Sequence, residues 1–147
     1  AKDIIDQCRK LDLAKIEYYF VYMTGLAGKD GGKQNAINSA KVFNKINPRF
    51  ISVDSLTLFR NTKLYDLSKQ NKFIIASEKE RIKELQIFIN HLQLRVHLFA
   101  NSSSNFYPTT AYLPRDRDFI ISELQNILDT TSEQEMQEYR QNLKSLG

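Results

Sequence analysis

The chain reads as an α/β protein assembled from parallel βα units. Two near-continuous apolar runs, IEYYFVYMTGL from Ile16 and FISVDSLTLF from Phe50, bracket a glycine-bearing loop and an amphipathic helix. Strands buried on both faces of a parallel sheet show that kind of unbroken apolarity. Length agrees: 147 residues, 41% of them hydrophobic, suffice for one domain with a real core. Such units gather their ligand-binding loops at the carboxyl ends of their strands.

Residues 2–12 put Ile4, Ile5, Cys8 and Leu11 on one helical face, and Cys8, the one cysteine, reads as a buried inert thiol. A strand follows over 16–24. The next loop holds Gly25, Gly28, Gly31 and Gly32 and opens onto a helix over 34–46 with Ala36, Ile37, Ala40, Phe43 and Ile46 inward; Asn47-Pro48 stops it. A second strand, 50–59, runs into a short helical turn carrying Leu64, Tyr65 and Leu67. Ser77 with Glu80 spells a capping box for a helix over 78–92, whose stripe is Ile82, Leu85, Phe88, Ile89 and Leu92. Over 94–100, Leu94, Val96 and Leu98 alternate with Arg95, His97 and Phe99, so this third strand has a wet face, as at a sheet edge. Asn101 to Arg115 reads as a long loop, of a length that is functional or poorly ordered. Asp116 caps a helix with Phe119, Ile120, Leu124, Ile127 and Leu128 inward. Ser132 and Glu135 box a mostly polar helix ending near Gly147, with Met136, Tyr139 and Leu143 as its narrow apolar stripe. Residues 1–147 form a single unit, α/β over 1–114 with a helical tail over 115–147.

Few residue types suited to chemistry are present. The two histidines, His91 and His97, lie at no metal-ligand spacing, and no serine has a nucleophile elbow around it. The net charge of +4 reads as a solvated basic face rather than a nucleic-acid surface, because Tyr18, Tyr19, Phe20 and Tyr22 sit inside an apolar run that burial explains. No apolar run approaches the ~20 residues of a membrane helix and no secretory signal opens the chain, so a cytoplasmic protein is the expectation. The Gly25–Lys33 loop fails the phosphate-loop pattern at Ala27 and Gln34 and also fails the dinucleotide fingerprint. It reads either as a plain βα connection or as a loop whose backbone N–H groups hold an anion.

Three segments in order resemble one family, the radical S-adenosylmethionine iron–sulfur enzymes, and in particular the carboxyl-terminal half of their barrel. Val21-Tyr22-Met23-Thr24-Gly25-Leu26-Ala27-Gly28 resembles an apolar strand with its G-L/F-x-G loop. Leu56-Thr57-Leu58-Phe59 through Thr62-Lys63-Leu64-Tyr65 is similar to an L-T-L strand and a G-T-P-L-Y turn. Asn101-Ser102-Ser103-Ser104-Asn105-Phe106-Tyr107-Pro108 with Leu113-Pro114-Arg115-Asp116 resembles the N-H-A-S-N-Y-L-P and L-P-x-D-K tail of coproporphyrinogen oxidase-like and uncharacterised iron–sulfur oxidoreductase members. The departures are Asn61 and Lys63 for the Gly and Pro of the turn, Asn71 for a Gly, and Ser102 for a His. Asn tolerates positive φ, so Asn61 and Asn71 are mild changes.

The resemblance implies part of an S-adenosylmethionine-cleaving oxidoreductase. Met23, Thr24 and Gly25 would lie by the adenine or methionine part of the cofactor, Leu56 and Leu58 would pack beside it, and Asn101, Ser104 and Asn105 would stand near substrate. The C-x-x-x-C-x-x-C loop that holds a 4Fe–4S cluster is absent, and Cys8 cannot replace it. This chain alone is therefore expected to bind no cofactor and to be inactive, with the missing amino-terminal half of the barrel as its partner; an opening Ala1 in place of Met agrees. Loss of that half would bare Tyr18, Phe20 and Tyr22 along the 16–24 strand. Either a second copy covers them, giving a homo-oligomer, or the tail helix over 133–145 folds across. The alternative is a stand-alone α/β module that binds a partner, or an anionic ligand at the Gly25–Lys33 loop, without catalysis.

Overall fold

The computed structural model describes residues 1–142; Leu143 and the helix end expected near Gly147 lie outside the described residues. Its elements are α1 (Lys2–Leu13), β1 (Phe20–Thr24), α2 (Gly32–Phe43), β2 (Phe50–Ser55), α3 (Lys63–Lys69), α4 (Glu78–His91), β3 (Val96–Phe99), β4 (Thr110–Leu113), α5 (Arg117–Thr130) and α6 (Glu133–Gln141). The sheet order is β1-β2-β3-β4, with β1, β2 and β3 parallel and β4 antiparallel to β3. The fold is α/β, an open mixed sheet. None of the described helices is long and apolar enough to cross a membrane.

The sheet has one covered face and one bare face. Tyr22, Ile51, Val53, Val96, Leu98, Ala111 and Leu113 point into a core shared with Ala36 and Phe43 of α2, Phe88 and Ile89 of α4, Leu124 of α5 and Met136 of α6. Tyr22 stacks on Phe88 at 3.8 Å between ring centroids, with Phe43 edge-on to both. α1 makes a smaller cluster, in which Ile5, Cys8 and Ile46 meet Tyr18, Phe20 and Val42. Cys8 is 3% exposed, and burial raises its thiol pKa. The α4 stripe is buried as its periodicity predicts, and both capping boxes form.

Several expectations require correction. The Asn101–Arg115 stretch contains β4, four residues fenced between Pro108 and Pro114 and too short for period-two alternation to stand out. His97 faces solvent although β3 lies inside the sheet; its wet side belongs to the uncovered face, not to an edge. On β1 the pleat buries Tyr22, half-buries Phe20 and exposes Tyr19 and Val21, so these two, not Tyr18, Phe20 and Tyr22, are the bare apolar groups. Phe119 is 65% exposed. Asp116 sits at the N-cap of α5 without a side-chain capping bond: its carboxylate accepts instead from Tyr112 N–H at 2.8 Å and from the Arg115 guanidinium. α5 gives Ile120, Leu124, Ile127 and Leu128 to the core and so belongs to the helical layer; α6 packs on α4, away from the β1 edge.

Candidate functional site

Polar side chains converge where β1 and β2 end, and they do so because α4 carries acids and a guanidinium on an otherwise apolar stripe. Glu84, 1% exposed, accepts from Tyr22 Oη, Gly25 N–H and Asn35 Nδ2, each at 2.8 Å. Burial and then this carboxylate push the Tyr22 phenol far above its ordinary pKa. The first N–H of the glycine loop is thus taken by a carboxyl group of the protein itself. Four more of its N–H groups are paired within the protein: Gly28 donates to Gly25 O, Lys29 to Ile74 O, Asp30 to Glu80 Oε1 and Gly31 to Gly28 O.

A second knot bridges β2 and β3. These strands pair only from Phe50–Ser52 to His97–Phe99. Beyond that point Asn105 fills the gap: its Nδ2 donates to Val53 O at 2.7 Å and Ala100 O at 2.9 Å, and its Oδ1 accepts from Ser55 Oγ at 2.9 Å. Ser104 Oγ accepts from Ser55 N–H, and Thr24 Oγ1 lies 3.0 Å from Ser55 Oγ.

The third knot is ionic. Glu78 and Arg81, 6% and 5% exposed, pair across one turn of α4 at 3.4 Å, and Arg140 of α6 reaches Glu78 at 3.1 Å. Burial raises the Glu78 pKa and lowers that of Arg81, each against the pull of its partner. The Leu56 carbonyl accepts from both guanidinium groups. These residues edge a cleft of ≈ 640 Å³ together with Lys29, Thr57, Leu58 and Gln137.

The residues singled out from sequence divide accordingly. Thr24, Gly25 and Leu56 are buried and engaged with protein groups, and Ser104 and Asn105 lie 6% and 5% exposed between strand ends. Leu58 lines the cleft, Met23 is half-buried on the bare face and Asn101 is exposed just past β3. Glu84, Arg81, Arg140 and Asp54 were not anticipated. The signal for Glu78 and Arg81 was legible: they share a helical face with Ile82, Leu85 and Ile89, where solvated charges do not belong.

The bare face is graded along the strands. At the amino ends, Tyr19 stacks on Phe50 at 4.7 Å, Phe50 pairs in register with His97, and His97 with Tyr112. A cleft of ≈ 530 Å³ lies there, among Glu17, Tyr19, Arg49, Phe50, His97 and Phe99. The next row is Val21, Ser52, Phe99 and Thr110, and at the carboxyl ends Met23 stands beside Asp54. Comparison with family models, with curated proteins and with solved structures finds no match for this chain.

Proposed function

We propose that this chain is the carboxyl-terminal half of a radical S-adenosylmethionine barrel, supplying wall and rim to a cofactor and cluster held by an amino-terminal half. The observation that carries the reading is the uncovered face of a parallel β1-β2-β3 array whose helices pack on the other side. A barrel puts helices outside and fills its interior with rows of strand side chains. The aromatic row from Tyr19 to Tyr112 then serves as floor, and Met23 and Asp54 stand at the mouth. The sequence holds no C-x-x-x-C-x-x-C loop, so in this reading cluster ligands would come from the other half. A cofactor bound to that cluster would supply radical chemistry; on this side of its pocket Met23 and Leu58 would be the side chains of this chain facing it. Of the five residues assigned to the cofactor, Met23 is half-buried on the bare face, Leu56 and Leu58 line the cleft of ≈ 640 Å³, and Thr24 and Gly25 are buried and hydrogen-bonded to protein groups.

The test joins the chain to the polypeptide encoded immediately upstream of Ala1, reconstitutes it anaerobically, and measures iron and 5′-deoxyadenosine. Iron at about four per chain with deoxyadenosine formation supports the reading. An upstream frame without C-x-x-x-C-x-x-C, or a joined protein that binds iron and forms no deoxyadenosine, overturns it. A non-catalytic partner-binding module is the second reading, favoured by the same bare aromatic face.

A further inference from the structure

We infer that Arg140 is a positioning residue that locks two separate strand-end segments, Leu56–Thr57 after β2 and Ser104–Asn105 after β3, into one rigid rim, with α6 as its strut. The inference stands on contacts alone and does not depend on the reaction class proposed above. Where the β2–β3 ladder has ended, the Arg140 guanidinium donates to Leu56 O at 2.8 Å, to Thr57 Oγ1 at 3.2 Å and to Ser104 O, while its Nε faces Glu78 at 3.1 Å. One planar fork thus spans segments that no backbone pairing joins, a geometry that a single ammonium cannot reproduce.

The rest of α6 is built to deliver this side chain. Only Met136 of the helix is buried. Its first residue, Glu133, places both carboxylate oxygens on the amino end of α4, accepting from Glu78 N–H at 2.8 Å and Lys79 N–H at 3.0 Å. A polar helix held at one end by a carboxylate on a helix terminus, at its centre by Met136 and near its far end by Tyr139, edge-on to Phe106 at 5.3 Å, gives the core one buried side chain. Its product is the position of Arg140.

Hydrogen exchange by NMR on the full chain tests this in wild type, Arg140→Gln and Arg140→Lys. The informative amides are Ser55, Leu56 and Asn105, which donate to Ser104 Oγ, Thr24 O and Ser102 O. In Arg140→Gln all three should exchange faster by a common factor of about ten or more, with Phe88, Ile89 and Leu98 unchanged. Arg140→Lys keeps the charge opposite Glu78, so α6 should stay docked, with Met136 N–H protected, while the three rim amides remain fast. Full protection in the lysine variant would show that neutralising Glu78 is all Arg140 does and would overturn the inference. So would loosening of one segment without the other, or of α6 alone. If Arg140→Gln does not fold, the lysine variant decides by the same criteria.

Discussion

Glu84 and Asn105 are buried polar side chains whose neighbours leave them no freedom. Three donors converge on Glu84, so Glu84→Ala orphans a phenol, an amide and a backbone N–H at once and should cost about 3 kcal/mol in urea unfolding. A change within about 0.5 kcal/mol would mean that water satisfies those donors. At Asn105 the amide nitrogen faces two carbonyl oxygens, which makes the isosteric change informative. Asn105→Asp sets a carboxylate against those carbonyls and should destabilise at neutral pH at least as much as Asn105→Ala, about 2–3 kcal/mol. Its acid is neutral-favoured in the fold, so its folded pKa is raised; the deficit should shrink as pH falls below the ordinary carboxylate range and grow as pH rises through the raised value. Denaturant midpoints at acid and neutral pH check this.

Among the elements, the loop between β1 and α2 has the least tolerance. Gly28 has φ +72°, and a Cβ there would come within 2.8 Å of Ile74 O, the carbonyl that accepts from Lys29 N–H. Gly28→Ala therefore meets both the left-handed penalty and fixed backbone, and should lower stability by about 2 kcal/mol or more. Asn61 and Asn71 have φ of 65° and 55°, in the left-handed region that Asn tolerates better than most side chains. Asn71→Gly should change stability by no more than about 0.5 kcal/mol, measured by thermal unfolding.

At the scale of the whole molecule, the bare face and the alkaline limit are open to experiment. Val21, 48% exposed on the edge strand, lies beside the aromatic row that Tyr19, 59% exposed just before that strand, begins. In isolation the chain should self-associate across this surface, and Val21→Lys should shift the sedimentation coefficient to the monomer at every concentration without lowering stability. A wild-type chain that is monomeric throughout would remove that expectation. Burial raises Tyr18 to about 12, and burial with Glu84 raises Tyr22 further. A raised phenol stabilises the fold below the ordinary value of 10.0 and loses that contribution as pH climbs through the folded value. Phenolate absorbance from Tyr18 and Tyr22 should therefore appear only as the far-UV signal of folding is lost. At the acid end, hydrogen bonds from Arg115 and then from Tyr112 N–H hold Asp116 at about 2, so its contribution disappears only as pH falls through that value.

Sequence by itself determined the α/β class, the order of the helices and first three strands, the α4 stripe and both capping boxes. These follow from local periodicity and from side chains that reach their own helix turn, as Ser77 and Glu80 do. It did not determine which face of β1 was bare, because an unbroken apolar run carries no phase. β4 escaped because four residues are too few to show a period. The carboxylate beneath the glycine loop, the Asn105 bridge and the Arg140 fork join residues 59, 52 and 84 positions apart. Such contacts leave no trace in local pattern. Only the tertiary structure, by closing the helical layer over one face of the sheet, turned ordinary Glu, Asn and Arg residues into the frame of the strand-end rim.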